Sequence, residues 1–381
     1  MIPYGRQLIT PDDIEAVTSA LLSDFLTQGP RIAEFEKAFA AYTGARYAIA
    51  VSNGTAALHL GALALGVNGT SKAITTPVTF AASANCIRYC GGQIEFADID
   101  PETFLIDLNI VEDKLKKADK GVYSGIIPVN LAGYPVHLEE LKILADRYGV
   151  WIMEDACHSP GGYFTDSKGK KQYCGNGEWA DLSVFSFHPV KHIACGEGGM
   201  ITTGNKELYE KIMLLRTHGI TKDPNVMSEN HGGWYYEMTE LGYNYRLTDM
   251  QAALGSSQLA RADEGIKRRK EIASVYDNAF ENTNVNTPAL KQDIGHAYHL
   301  YIIQVEDRLG LYNHLRSKDI FAQVHYIPLH LMPYYRNLGH KKGDYPIAEK
   351  YYESCLSIPM YPSLEKGEQD FVIREICNYC K

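Results

Sequence analysis

The sequence predicts an α/β protein, a mostly parallel sheet between helices followed by a smaller C-terminal α+β domain. Three observations predict it. Short β-branched and apolar segments alternate with helical patterns as far as Met250. Beyond that residue the pattern changes to long, charged helical sequence and then to shorter mixed segments. A chain of 381 residues with 45% apolar content also exceeds one typical domain. We therefore expect residues 1–250 to form a large α/β domain and residues 251–381 the smaller one.

The elements follow in order. Thr10-Pro11-Asp12-Asp13 precedes Ile14, Val17 and Leu21, which reads as an N-cap, a first-turn proline and acids that complement the helix dipole. That spacing predicts a helix to about Ser23. Strands are expected at Ala48–Val51, Ala73–Thr75, Ile94–Phe96, Gly125–Val129, Trp151–Met153, Leu182–Phe187 and Met200–Thr203, with helices such as Thr55–Leu65 and Leu138–Tyr148 between them. This alternation implies parallel strands with helices on both faces. Gln251–Phe280 reads as helix, and Tyr301–Val305 and Gln323–Tyr326 as further strands.

The formal charge of −9 and the lack of a basic block argue against a nucleic-acid partner. No apolar run reaches the length of a membrane span and no leader pattern opens the chain, so a cytoplasmic protein is expected. Eight cysteines in this length are too sparse for a disulfide scaffold. Cys377 with Cys380, and Cys86 with Cys90, each supply only half of a zinc ligand set, so no metal is expected.

Three motifs carry chemistry. Ser52-Asn53-Gly54-Thr55-Ala56-Ala57-Leu58 follows a strand and opens a helix, where free N–H groups can hold a phosphate; the same residues also suit an ordinary capped helix. Glu154-Asp155-Ala156-Cys157-His158 emerges at the end of an apolar strand, where open α/β sheets build their sites. An acid there can keep a pyridine nitrogen protonated, and a solvated strand end reads the same way. Ser183-Val184-Phe185-Ser186-Phe187-His188-Pro189-Val190-Lys191 ends a strand and sets a lysine ahead of Gly196-Glu197-Gly198-Gly199, glycines that let backbone approach a ligand. A lysine shielded from water favours its neutral amine, the form that Schiff-base chemistry needs, although most lysines lie on the surface.

The phosphate turn, the E-D-A-x-H strand end, the S-F-H-P-V-K turn and G-E-G-G, in that order, resemble the DegT/DnrJ/EryC1/StrS family of sugar aminotransferases. The resemblance begins at Asp24-Phe25-Leu26-Thr27-Gln28-Gly29-Pro30 and continues through Gly242-Tyr243-Asn244-Tyr245-Arg246 and Asp249–Leu254. It implies a fold-type I homodimer that shares its active sites and uses pyridoxal 5′-phosphate (PLP), with pyridoxamine 5′-phosphate as the intermediate. By that resemblance Lys191 anchors the cofactor covalently, Asp155 pairs with the ring nitrogen, His158 lies near the phenolic oxygen and Phe80 stacks on the ring. Thr55, Ala56 and Ser186 bind the phosphate, which Asn244 reaches from the partner subunit. Tyr4, Arg6, Thr27, Gln28 and Arg246 fall in segments that resemble substrate-contacting parts of the family.

Within the family, His188-Pro189-Val190-Lys191 and the stretch from His325 and Tyr326 to His330, with Pro333-Tyr334-Tyr335, resemble the pseudaminic-acid-pathway transaminases. That resemblance implies L-glutamate as donor and C4 of UDP-2-acetamido-2,6-dideoxy-β-L-arabino-hex-4-ulose as acceptor. His325, Tyr326 and His330 are candidates for the sugar pocket, and their aromatic-rich stretch also reads as core or dimer interface. Phe164–Glu178 departs from the pattern, being longer and more polar than a tight connection needs. Other readings are an aminotransferase for a D-configured UDP-4-keto sugar or a dTDP-keto sugar, a PLP-dependent sugar dehydratase, and a sugar-nucleotide sensor without chemistry.

Overall fold

A computed structural model describes all residues, 1–381. Its central sheet has seven strands: β1 (Tyr47–Val51), β2 (Lys72–Thr75), β3 (Gln93–Phe96), β4 (Gly125–Ile127), β5 (Trp151–Asp155), β6 (Leu182–Ser186) and β7 (Gly199–Thr203). Their spatial order is β1-β7-β6-β5-β4-β2-β3, and every neighbouring pair is parallel except the two that involve β7. The expected α/β class is the class found, and each strand lies within a residue or two of its expected position.

Successive strand residues point to opposite faces, and here both faces are covered. Ile49, Val51, Val184 and Ile201 join one apolar core, while Ala48, Ala50, Phe185 and Met200 join another. On the second face, Phe35 and Phe39 of the helix Pro30–Thr43 meet Phe185 and Phe187 edge-on or tilted. A third core gathers Ile272, Tyr276, Ile303, Leu315, Ile358 and Val372, and it takes in Ile2, whose short strand pairs in parallel with Ile320–Phe321.

Three expectations shift. The first helix, Pro11–Leu21, starts on a Thr10–Asp13 capping box, but Asp13 does more than complement the dipole. It is 1% exposed and accepts from Ser257, Gln258 and Arg261. Burial alone would raise this carboxyl, but those donors hold it down, to about 2. The stretch 251–280 is two helices, Asp249–Leu259 and Ala262–Phe280, parted where Arg261 turns onto Asp13 and the Leu8 carbonyl. Gln323–Tyr326 forms no strand and keeps one bridge, to Ser357, because beyond it the Val324 N–H turns to Gln323 Oε1 and the His325 carbonyl accepts the Tyr351 hydroxyl.

The polar segment from Phe164 to Glu178 is a hairpin, Tyr163–Thr165 against Lys171–Tyr173, with Ile294–Gly295 added at its edge. Asp166 closes its turn by accepting from Lys168 and Lys170 N–H. Glu154 ties the hairpin's exit to the sheet, accepting from Gly175 N–H at 3.0 Å, Ser183 at 2.6 Å and Asn130 at 2.7 Å. Glu154→Ala would strand the Gly175 N–H and the Ser183 hydroxyl in the interior, so an unfolding free energy lower by about 2–4 kcal/mol is expected in urea titrations.

Candidate active site

Three strand ends converge at one edge of the sheet. β1 runs into Asn53, which caps the helix Gly54–Ala64 by accepting the Ala56 N–H at 2.8 Å. That bond engages the Ala56 N–H at the start of the helix. The first-turn N–H groups of Gly54 and Thr55 lie outside the helix's own ladder, and both residues line the same cavity. Ser186, at the end of β6, adjoins them: a Cβ on Gly54 would come within 3.0 Å of Ser186 Cβ. A Cβ on Gly199 would lie 2.6 Å from the Asn53 backbone, so this glycine lets β7 press on the turn rather than on a ligand.

β5 delivers Asp155, 5% exposed and satisfied on both oxygens. Oδ2 accepts from Ser83 at 2.6 Å and Oδ1 from Cys157 N–H at 3.1 Å. Ser83 also shares a 2.8 Å hydroxyl–hydroxyl bond with Thr79. The turn after β6 delivers Lys191, whose N–H donates to the His188 carbonyl at 2.8 Å. Its amine, 3.5 Å from His299 Nε2, is pulled by burial down to about 8, against the opposing pull of Asp155.

His158 is buried. Its Nδ1 accepts Ala132 N–H at 3.2 Å, its Nε2 lies 3.2 Å from the Tyr326 hydroxyl, and its ring centre is 4.3 Å from that of His299. Burial, then the charge of Lys191, hold both histidines well below their ordinary range, and His325 is pushed down to about 3 for the same reasons. His299 is fixed through its backbone, since buried Arg269 donates to the carbonyls of Tyr298, His299 and Met360.

Thr55, Ala56, Phe80, Asp155, His158, Ser186 and Lys191 thus line one cavity of about 620 Å³, together with Tyr4, His325 and Tyr326. Phe80, 61% exposed, stands 6.3 Å from the Tyr326 ring. Arg6 lines a neighbouring cleft that meets the cavity at Lys191. Thr27, Gln28, Asn244 and Arg246 lie off this chain's cavity; Thr27 bridges to Thr248 and Asn244 to Thr217. His330 is fully buried against Glu349 at 2.9 Å, so the structure does not bring it to the pocket. Ser83 and His299 line the cavity without having been singled out from the sequence.

The profile of the DegT/DnrJ/EryC1/StrS aminotransferase family matches residues 7–377. The spore coat polysaccharide biosynthesis protein SpsC of Bacillus subtilis is 38% identical over 100% of this chain and 97% of its own. The UDP-4-amino-4,6-dideoxy-N-acetyl-beta-L-altrosamine transaminase of Campylobacter jejuni is also 38% identical, over 98% of this chain and 96% of its own. Spr1654 of Streptococcus pneumoniae, solved in a PLP form, superposes with a TM-score of 0.89 at 28% identity, covering 99% of this chain and 98% of that one. The chain belongs to the DegT/DnrJ/EryC1/StrS aminotransferase family and is a PLP-dependent sugar aminotransferase.

The cavity's donor set fits that cofactor: hydroxyl and N–H donors on one wall for a phosphate, a buried carboxylate for a ring nitrogen, and an amine of lowered basicity for a carbonyl carbon. In the cofactor-free protein, acylation of Lys191 followed by mass spectrometry should be half-maximal near pH 8, because the neutral amine accumulates as pH rises through that value. Surface lysines should need about pH 10.4. Gly199→Ala should push the Asn53 turn away from β7 and weaken PLP binding about tenfold or more, read by fluorescence titration.

Proposed function

We propose that the enzyme moves the amino group of L-glutamate to C4 of UDP-2-acetamido-2,6-dideoxy-β-L-arabino-hex-4-ulose, as a homodimer whose subunits complete each other's sites. The observation that carries the reaction is the meeting of Lys191, Asp155 and His158 with the Thr55–Ser186 wall in one cavity. The sugar rests on the similarity to the Campylobacter jejuni transaminase. Equal identity to SpsC supports a second reading, another nucleotide-linked keto sugar.

When bound, PLP supplies an electron-accepting ring and carries the amino group from one substrate to the other. The chain's residues do the rest. Asp155, oriented by the Ser83 hydroxyl and the Cys157 N–H, would hold a proton at the ring nitrogen. Lys191 anchors the cofactor and, once free, moves a proton at the substrate carbon; its lowered basicity keeps a usable neutral fraction near neutral pH. His158 would lie near the phenolic oxygen with Tyr326 held against its Nε2, Thr55 and Ser186 would hold the phosphate, and Phe80 would cover the ring. Tyr4, His325 and Tyr326 face the sugar.

A second subunit is supported by Asn244, which is exposed and away from its own cavity, and by the exposed Trp234, Tyr236, Met238 and Leu241 that precede it. In the partner's site Asn244 would reach the phosphate.

Lys191→Ala should lower turnover by at least about 10⁴-fold, since one residue supplies both anchor and proton carrier, while the cofactor still binds without becoming fixed to the protein by borohydride. Turnover near the wild-type rate would remove Lys191 from the reaction. Incubating the wild type with glutamate and a panel of UDP- and dTDP-linked 3-keto and 4-keto sugars, with products assigned by NMR, tests the acceptor; amination of a different sugar only would replace it.

A further inference from the structure

Hydrogen-bond polarity in the cavity can be followed from one backbone group outward. Ala132 N–H can only donate, and its acceptor is His158 Nδ1 at 3.2 Å. Nδ1 therefore carries no proton, and neutral His158 must carry its proton on Nε2. A second proton would face the Ala132 N–H directly, in keeping with the low basicity of this imidazole. The Nε2–H then points to Tyr326 Oη at 3.2 Å, so that oxygen accepts.

The consequence falls on Tyr326. Its own proton cannot go to His158, and Oη has no other protein partner. Burial keeps this phenol protonated at any ordinary pH. The ring stands beside Phe80 and lines the cavity with Lys191 and Asp155. What remains is an O–H fixed at one end and open only toward whatever the cavity holds.

We propose that Tyr326 is a positioning residue, a one-way hydrogen-bond donor to an acceptor oxygen of the bound reactants, with its polarity imposed by Ala132 through His158. This rests on the aminotransferase reading of the cavity and adds a hydrogen-bond polarity to a residue so far placed only as facing the sugar. Three oxygens share the required chemistry: the cofactor's phenolic oxygen, a carboxylate of glutamate and the keto oxygen of the sugar.

Tyr326→Phe removes the hydroxyl and keeps the ring. In the PLP-loaded enzyme three quantities are read: the pH titration of the visible absorbance band, the rate at which glutamate bleaches it, and the rate at which the UDP-keto sugar restores it. A midpoint raised by about half a unit or more assigns the bond to the phenolic oxygen, which loses a donor and becomes more basic. An unmoved midpoint with one rate slowed about tenfold or more, the other unchanged, assigns it to glutamate or to the sugar, whichever step slows. All three quantities within about twofold of wild type would overturn the inference, as would an equal loss in both rates accompanied by a lower melting temperature.

Nitrogen-15 histidine spectra of the same loaded protein check the polarity independently of turnover. His158 should stay neutral and protonated on Nε2 between about pH 6 and pH 9. A proton on Nδ1 would reverse the argument. A wild-type protein that forms no band with PLP overturns the aminotransferase reading along with this one, whereas a normal band with an unaffected variant removes only the role of Tyr326.

Discussion

The site depends on a carboxylate that the sheet buries at the end of its central strand. Asp155 is taken out of water, and Ser83 and the Cys157 N–H meet its two oxygens. Its neighbour on the strand, Glu154, points to the opposite face and is satisfied by a different set of donors, from Asn130, Gly175 and Ser183. Two adjacent acids thus have two jobs, one building the hairpin junction and one facing the cavity. A register slip of one residue in β5 would exchange them, which places a strong demand on the β4-β5-β6 pairing.

That demand explains why so much of the fold was legible in the sequence. Parallel strands covered on both faces must be apolar at successive positions, so Ile152-Met153 and Val184-Phe185 stand out as runs, and the motifs at their ends could be placed in order. The C-terminal part was less legible. The break at Arg261 carries no Gly or Pro, because what ends the first helix is the distant Asp13. Gln323–Tyr326 has the composition of a strand, but the structure leaves it almost without pairing.

The site residues divide along the same line. Lys191, Asp155, His158 and Ser186 sit in local patterns tied to strand ends, and these the sequence could show. Ser83 lies inside a helix and His299 just before a strand, and each matters only through a partner distant in the chain, Asp155 and Lys191 respectively. The one local hint for His299 is its neighbourhood of His296 and Tyr298, which reads equally well as core. Conversely, His330 looked like a pocket residue in its aromatic stretch, yet its polar ring is spent on the buried Glu349. Ala56 lines the cavity, and Asn53 engages its N–H to start the helix.

The same burial governs the electrostatics of the cavity. Four imidazoles, those of His158, His192, His299 and His325, surround Lys191, and each is driven below its ordinary range by desolvation first and by the lysine or other neighbouring charges second. At neutral pH they act as oriented dipoles, leaving Asp155 and Lys191 to set the local charge. Burial lowers the amine, and the nearby Asp155 opposes that desolvation. A cavity with charged histidines would repel the ammonium at every stage and bind any anion without regard to orientation. Neutral rings, with the tautomers of His158 and His192 set by Ala132 N–H and the Ala297 carbonyl, instead direct individual N–H and O–H groups, so the geometry of the strand ends, and not the net charge of the pocket, decides where a reacting oxygen or nitrogen can be held.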